Sequence, residues 1–173
     1  MAISHFDIGV RDHALAATVR PLRPDDRPAL ERLLRAQTNF TAVEVETALE
    51  VIDDALKGDD EYVVSVVERD HVCGYECHGP TPLTDGTYDL YWIVVDPAAL
   101  KRGYGRLLLR AAEEDVARRG GRLLLIETSS LPSYESTVRF YKRNGYRLEA
   151  RVHDFYRRGD DKLILARDIL SEQ

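Results

Sequence analysis

One loop of the chain has the residue types and spacing of a phosphate-binding site. An apolar run ends at Asp96-Pro97, and a short basic segment, Lys101-Arg102-Gly103-Tyr104-Gly105, then leads into a helical pattern. The first N–H groups of a helix have no intrahelical acceptor, and together with the helix dipole they favour a bound anion. Glycine lets the backbone approach an anion closely or adopt a positive φ. The segment therefore predicts a cradle for a phosphate group.

The spacing of the loop separates the known phosphate cradles. A Walker loop needs four residues between its glycines and then Lys followed by Ser or Thr, whereas one residue separates Gly103 from Gly105. A dinucleotide fingerprint needs a third glycine where Leu108 stands. A nucleotide-binding enzyme is therefore disfavoured. A plain strand–turn–helix connection with turn glycines remains the alternative without a ligand.

The remaining pattern resembles the acyl-CoA pyrophosphate loop of the GNAT superfamily of N-acetyltransferases, Gln/Arg-x-x-Gly-x-Gly/Ala. The resemblance implies that the loop holds the pyrophosphate and that the strand before it pairs with the pantetheine arm of acetyl-CoA, the co-substrate. Leu100 departs from the family at its Gln/Arg position, so the neighbouring basic residues must supply the charge. The residues that the resemblance assigns to coenzyme binding are Val94, Val95, Leu100, Lys101, Arg102, Gly103, Tyr104, Gly105 and Arg106.

A second motif lies further along the chain, from Thr137 to Tyr146. It resembles the family's Ala-x-x-x-Tyr-x-x-x-Gly-Phe helix, and the resemblance gives Tyr141 the role of protonating the departing thiolate. A phenol with a pKa near 10 is a suitable donor to a thiolate of similar basicity. The alternative is a partly buried tyrosine on an amphipathic helix. Tyr134 stands where the family often has Asn, which is a second departure.

Two carboxylates are candidates for the base, because attack on a thioester requires a neutral amine. Asp89 lies six residues before Val95 and matches the position of the glutamate base in some protein-acetylating relatives. Glu127, at the end of the next predicted strand, competes with it. Each could instead be an exposed acid at a strand end. We keep Tyr141, Asp89 and Glu127 as the candidate catalytic residues.

The segment 153–162 reads locally as a turn between two strands, because Gly and Asp are concentrated there. It also resembles the Asp-Phe-Tyr-x-x-Gly-Asp-Asp-Lys hairpin of an uncharacterised GNAT branch, which overlooks the acceptor site in this fold. The resemblance implies that Asp160 and Asp161 build the turn. The residues expected to contact the acceptor are Tyr91, Asp154 and Tyr156.

The elements that must position these residues follow the order β-α-α-β-β-β-α-β-α-β-β, as read from periodicity and turn residues. This order is similar to the whole GNAT fold over roughly residues 18–168. It implies a single-domain α/β fold with a mixed, mostly antiparallel seven-stranded sheet, about four helices and splayed central strands at 89–95 and 123–127. A β-bulge would kink the first of these strands. Residues 1–15 are expected to be an N-terminal extension and 16–173 the N-acetyltransferase domain.

Composition excludes several other classes of protein. The 173 residues are 44% hydrophobic and 31% charged, as in one globular domain. There is no apolar run near the roughly 20 residues of a membrane span and no signal peptide, so we expect a cytoplasmic protein. Cys73 and Cys77, flanked by His71 and His78, lie in a strand pattern rather than in the tight turns of zinc sites, and no metal is expected. The net charge of −6 argues against nucleic acid.

These observations favour an acetyl-CoA-dependent N-acetyltransferase. Transfer would be direct, since no Cys or Ser stands in a nucleophile position, and the acceptor would be a primary amine of a small molecule or protein. The carboxylates and tyrosines predict a cationic acceptor. Leu100 and Tyr134 keep open a non-catalytic acyl-CoA-binding sensory or structural domain. We expect neither a nucleic acid nor a membrane partner, and a homodimer is left open.

Overall fold

A computed structural model describes residues 17–58 and 61–170, which form a seven-stranded mixed sheet with four helices. The predicted extension 1–15 lies outside the described residues. The strands are β1 (Thr18–Pro21), β2 (Val63–Glu68), β3 (Val72–Pro80), β4 (Thr87–Val95), β5 (Leu123–Ser129), β6 (Arg147–Arg157) and β7 (Asp160–Asp168), and the helices are α1 (Arg27–Arg35), α2 (Ala42–Leu56), α3 (Tyr104–Arg118) and α4 (Glu135–Arg143).

The strands lie in the order β1-β2-β3-β4-β5-β7-β6. All neighbours are antiparallel except β4 and β5, which are parallel. The predicted fold class is confirmed. A parallel pair needs a crossover connection, and α3 supplies it.

The helices divide between the two faces of the sheet. Leu30, Leu33 and Leu34 of α1 are spaced to share one helix face, and they pack with α2 and with Val94 in one core cluster. The other face packs α3 and α4 against residues such as Leu90. We call these the α1–α2 face and the α3–α4 face.

The two central strands separate partway along their length. β4 pairs with β5 only from Thr87–Leu90, against Leu123–Ile126. Beyond these residues, 91–95 of β4 and 127–129 of β5 do not pair with each other, and we call the space between them the gap. The predicted splay of the central strands is confirmed.

A β-bulge marks the point at which β4 leaves β5. In the pairing with β3, Cys77 opposes Trp92 and His78 opposes Leu90, so Tyr91 is an extra residue. A bulge of this kind breaks the alternation of side chains. Trp92 packs against the cluster on the α1–α2 face, and the Tyr91 ring lies next to the Trp92 ring, at 6.1 Å between centroids.

The turn of the closing hairpin is shorter than predicted, because the sequence pattern predicts a turn over the ten residues 153–162. β6 continues to Arg157 and β7 begins at Asp160, so the connection is only two residues long. Asp154 has φ +52°, its N–H donates to Asp161 Oδ1 at 2.9 Å, and its Oδ1 accepts the N–H of Gly159 at 2.7 Å. These bonds let the strands approach each other beyond the region that periodicity marks as strand.

Neither a membrane span nor a metal cluster is found in the part of the chain that the structure describes. No helix within 17–58 and 61–170 is long and apolar enough to cross a membrane. The same residues contain no group of three or more His, Cys, Asp or Glu side chains that could hold a metal ion. Cys73 and Cys77 are free thiols, and both are buried.

Candidate active site

Two residues of the loop between β4 and α3 have a left-handed backbone conformation. Lys101 has φ +64° and Gly103 has φ +83°. Before them, the Asp96 carboxylate accepts the N–H of Ala98 at 2.8 Å and begins a 3₁₀ turn over Pro97–Ala99. Because glycine adopts the left-handed region without steric strain, Gly103 suits the position at which α3 begins.

The first turn of α3 presents free amide groups. The carbonyl of Gly103, the N-cap, accepts the N–H groups of Arg106 and Leu107, each at 3.1 Å. No described side chain caps this end of the helix. The amides of Tyr104 and Gly105 therefore have no intrahelical acceptor, and with the helix dipole they can hold an anion. This backbone has the form of the predicted cradle, and its ligand stays a prediction.

The side chains around the cradle differ in what they can contribute. Lys101, Arg102 and Arg106 are exposed, so their charges can approach an anion. Leu100 is 58% exposed and offers the loop no polar group. Tyr104 is 1% exposed and packs in the core, so its contribution to a ligand is limited to its backbone.

The end of β4 offers backbone groups to the gap. The N–H of Asp96 donates to Cys73 O at 2.8 Å, so alternation along the strand turns the N–H and C=O of Val95 towards the gap and those of Val94 towards β3. The Val94 side chain is buried. Of the two valines predicted to pair with the pantetheine arm, Val95 is the one with backbone groups on the open side.

Gln37 is a contact at this edge that the sequence did not indicate. It follows the end of α1, and its Nε2 donates to Leu33 O at 3.0 Å and to Val95 O at 3.2 Å. The Val95 carbonyl is therefore partly satisfied, which leaves the Val95 N–H as the group free to meet a ligand. A glutamine in an irregular segment carries no local pattern that could have identified it.

Tyr141 lies on α4 and faces the α3–α4 core. Its side chain is 6% exposed and makes edge-to-face contacts with Phe140, at 5.1 Å, and Tyr146, at 5.7 Å between centroids. Burial raises the pKa of the Tyr141 hydroxyl above its usual value of 10. The phenol is therefore protonated at neutral pH and can act as a proton donor.

The two candidate bases lie in different surroundings. Asp89 belongs to the paired part of β4, and its Oδ2 accepts the hydroxyl of Thr81 at 2.6 Å. Glu127 is the first residue of β5 beyond the pairing with β4. Its Oε2 lies 2.6 Å from Nζ of Lys162. Glu127 is thus the carboxylate at the gap itself, and Asp89 lies where the strands are still joined.

Tyrosines and negative charges gather where the hairpin, the end of β5 and α2 approach each other. The pKa of Tyr156 is raised by burial first and then by the charges of Glu127 and Asp160. The pKa of Tyr134 is raised by burial and then by the charge of Glu44. The carboxylates of Glu127, Asp160 and Glu44 therefore lie near these two tyrosines, and the first of them is paired with Lys162.

Tyr91 and Tyr134 have different neighbours. Burial, followed by the charge of Asp89, raises the pKa of Tyr91 to about 12. The Tyr134 hydroxyl donates to Asn39 O at 3.4 Å. The side chain of Tyr134 thus connects the segment after β5 with the segment between α1 and α2.

The surroundings of Asp154 differ from those expected of a residue that contacts the acceptor substrate. One carboxylate oxygen of Asp154 closes the hairpin on Gly159, which is the turn-building role predicted for Asp160 and Asp161. Asp160 instead accepts the Ser129 hydroxyl at 2.5 Å, and the Asp161 N–H donates to Ser130 Oγ at 2.9 Å. These bonds attach the hairpin to the end of β5.

Comparison with known proteins agrees with this geometry. The family model for the acetyltransferase (GNAT) domain matches residues 59–148. A structure assigned to the GNAT acetyltransferases, from Desulfovibrio desulfuricans, is 41% identical, covers 89% of this chain and 99% of its own, and has a TM-score of 0.85. None of the curated proteins matches the chain.

Two more distant structures share the fold. The ribosomal-protein-S18-alanine N-acetyltransferase of Escherichia coli is 19% identical, with 88% of this chain and 94% of that chain covered and a TM-score of 0.73. YncA of Salmonella typhimurium, solved with its cofactor acetyl-CoA, is 22% identical, with 91% and 96% covered and a TM-score of 0.69. From the matched domain and the 41% identical structure, together with the splayed strands and the amide cradle, we conclude that the chain belongs to the GNAT family of acetyltransferases.

Proposed function

We propose that this protein is an acetyl-CoA-dependent N-acetyltransferase that passes the acetyl group directly to a primary amine of a small molecule or protein. The observation that carries the proposal is the gap between β4 and β5, which has the free amides of α3 at one end and the Glu127 carboxylate on its wall. A cytoplasmic location is part of the proposal.

The cradle is suited to the pyrophosphate of the coenzyme. The amides of Tyr104 and Gly105, with the charges of Lys101 and Arg102, would hold it, and the Val95 N–H would pair with the pantetheine arm. Acetyl-CoA supplies an activated acyl carbonyl when bound.

A carboxylate at or beside the gap and the Tyr141 hydroxyl would perform the proton transfers of the reaction. A carboxylate, Glu127 or Asp89, takes a proton from the acceptor ammonium. The neutral nitrogen then attacks the thioester carbonyl carbon, a C–N bond forms and the C–S bond breaks. The nitrogen is positively charged after the attack and loses its second proton as the amide forms. Tyr141 gives its hydroxyl proton to the departing thiolate, and the proton released by the nitrogen restores the phenol, whose pKa is raised by burial.

The carboxylates and tyrosines beside the gap support a cationic acceptor. The charges of Glu127, Asp160 and Glu44 act on the tyrosines there, and tyrosine faces bind cations. Purified protein, acetyl-CoA and a panel of amines, with release of free thiol as the readout, test this function. Acetyl-CoA-dependent thiol release with at least one amine is expected.

A non-catalytic acyl-CoA-binding domain is the second candidate. The exposed Leu100 and the bridge from Tyr134 to Asn39 favour it, because both positions depart from the pattern of the family's coenzyme contacts. The same assay separates the two candidates. Calorimetric binding of acetyl-CoA without turnover of any amine would support the binding domain.

A further inference from the structure

Lys162 forms an ion pair with Glu127 at the wall of the gap. The two residues come from neighbouring strands: Glu127 opposes Ile164 of β7, and Lys162 opposes Ser129 of β5. They are therefore diagonal neighbours on the same face of the sheet. The Lys162 Nζ lies 2.6 Å from Glu127 Oε2 and 4.3 Å from the centroid of the Phe155 ring.

The two members of this pair differ in exposure. The Lys162 side chain is 15% exposed and is held between the carboxylate and an aromatic face, whereas the Glu127 side chain is 47% exposed. The contact with Lys162 uses Glu127 Oε2, and no hydrogen bond to Oε1 is found within the described part of the chain. The lysine is thus shielded, and the second carboxylate oxygen is open to an incoming group.

We propose that Lys162 is a positioning residue for acetyl transfer: it holds Glu127 through Oε2 and so directs Oε1 to the proton of the acceptor amine. This inference rests on the proposed function. The Lys162 charge has a second consequence for an amine bound to Oε1. A neighbouring cation disfavours the ammonium form, and the neutral form is the nucleophile.

Other side chains surround the pair. Tyr156 and Phe155 face it from β6, and the ionisable groups of Asp160, Tyr134 and Glu44 lie around Tyr156. The two tyrosines have raised pKa values and stay protonated at neutral pH. Asp160 already accepts the Ser129 hydroxyl. Lys162 is the group that directly contacts Glu127.

The test compares Lys162→Met, which removes the charge, with Lys162→Arg, which keeps it. Lys57→Met is the matched control, because it breaks an exposed lysine–carboxylate pair at the C-terminal end of α2, in which Lys57 Nζ lies 2.7 Å from Asp54 Oδ1. For Lys162→Met we expect kcat to fall on the order of tenfold or more, since a misaligned base loses part of its contribution. The acid limb of its kcat–pH profile should move up by about one pH unit, because loss of the cation raises the pKa of the acceptor ammonium.

Lys162→Arg should keep the acid limb of the wild-type profile and most of kcat, and the dissociation constant of acetyl-CoA should be unchanged in all variants. A Lys162→Met variant with wild-type kcat and pH profile would overturn the inference. So would equal losses in the Met and Arg variants with an unmoved acid limb, which indicate a structural ion pair. Absence of transfer in the wild type would instead overturn the proposed function, and this inference with it.

Discussion

At the scale of single residues, Tyr141 is the candidate proton donor. It lies in the α3–α4 core, with Phe140 and Tyr146 against its ring, and burial raises its pKa. A tyrosine that only filled the core would share the packing. A catalytic role requires the hydroxyl, whereas a packing role requires only the ring. A substitution that removes only the hydroxyl therefore distinguishes the two roles.

Tyr141→Phe should lower kcat on the order of 10²–10⁴-fold, the usual range for a lost general acid. The acetyl-CoA dissociation constant should stay near the wild-type value, because only the transition state loses an interaction. Steady-state kinetics and calorimetry measure the two quantities. Tyr146→Phe is the matched control: it removes a hydroxyl bonded to Glu113 at 3.0 Å and should leave kcat unchanged. Turnover of Tyr141→Phe at the wild-type rate would return Tyr141 to a packing role.

The two carboxylates can be ranked by a pair of amide substitutions. Glu127→Gln should lower kcat more than Asp89→Asn, because Glu127 stands where β5 leaves β4 and Asp89 is bonded to Thr81 in the paired region. The kcat of each variant is measured across pH. The loss of kcat in Glu127→Gln should be greatest at low pH, where the amine is hardest to deprotonate. A larger loss for Asp89→Asn would assign the base to β4 instead.

At the scale of the elements, the start of α3 depends on one backbone conformation. Gly103 has φ +83° and its carbonyl accepts two amides of the first turn. A side chain at this position is strained and β-branched residues are affected most. The orientation of the free amides is therefore set by a glycine rather than by a capping side chain.

Gly103→Val should raise the acetyl-CoA dissociation constant strongly, through displaced amides and a side chain beside the anion. Arg102→Ala should raise it several-fold, with an effect that shrinks as salt increases, because the charge is exposed. Calorimetry at two ionic strengths measures both effects, and circular dichroism checks that the variants fold. Unchanged affinity in a folded Gly103→Val protein would remove the basis of the coenzyme assignment.

A buried ionic network joins β3 to α3 outside the gap. The imidazole of His78 contacts Glu76 Oε2 at 2.8 Å through Nδ1 and Asp115 Oδ2 at 3.1 Å through Nε2. Burial alone would lower the pKa of His78, but the two carboxylates outweigh it and raise that pKa. Both ring nitrogens can donate only in the imidazolium form, so the network favours a charged His78.

His78→Ala should lower the free energy of unfolding by about 3–5 kcal/mol, because it leaves the buried Glu76 without its partner. The stability from a raised histidine pKa is fully present below the unfolded value of about 6.5 and is lost as pH rises through the folded value. Denaturant melts at pH 6 and pH 9 should therefore show a less stable wild type at pH 9, and Glu76→Gln should reduce this difference. A wild type equally stable at both values would contradict the assignment.

At the scale of the whole molecule, the sheet carries the amide cradle and the proposed acceptor side at one end of its splayed strands. The hairpin of β6 and β7 is fixed to the end of β5 by Ser129 and Ser130. Tyr134 contacts the segment after α1 across that region. The acceptor side is therefore assembled from distant parts of the chain, and its charge is a property of the assembled fold.

An acceptor screen tests that charge. Polyamines, aminoglycoside-like amines and lysine-bearing peptides should give higher kcat/KM values than neutral or acidic amines, because the acidic side attracts cations. The preference should weaken as salt increases. A screen in which acidic or neutral acceptors are better substrates would contradict a cationic acceptor and would leave the coenzyme assignment unaffected.

The features that depend on neighbouring residues could be predicted from the sequence. The strand ending at Val95, the glycine at the start of α3 and the order of elements follow from local conformational preference and periodicity, and the resemblance of two motifs gave the family and the splayed strands. A φ above zero at Gly103 is such a local property, since it depends on the absence of a Cβ atom in one residue.

The groups that meet at the gap are brought together by tertiary packing and could not be predicted from short segments. Glu127 meets Lys162 because β5 pairs with β7 in one register, and a shift of one residue would turn these side chains to opposite faces. The bulge at Tyr91 depends on the pairing of β4 with β3, and Gln37 reaches Val95 through the packing of α1. The burial of Tyr141 likewise depends on how α4 packs on the sheet. Contacts between residues far apart in the chain depend on the register and packing of whole elements, which no short segment encodes.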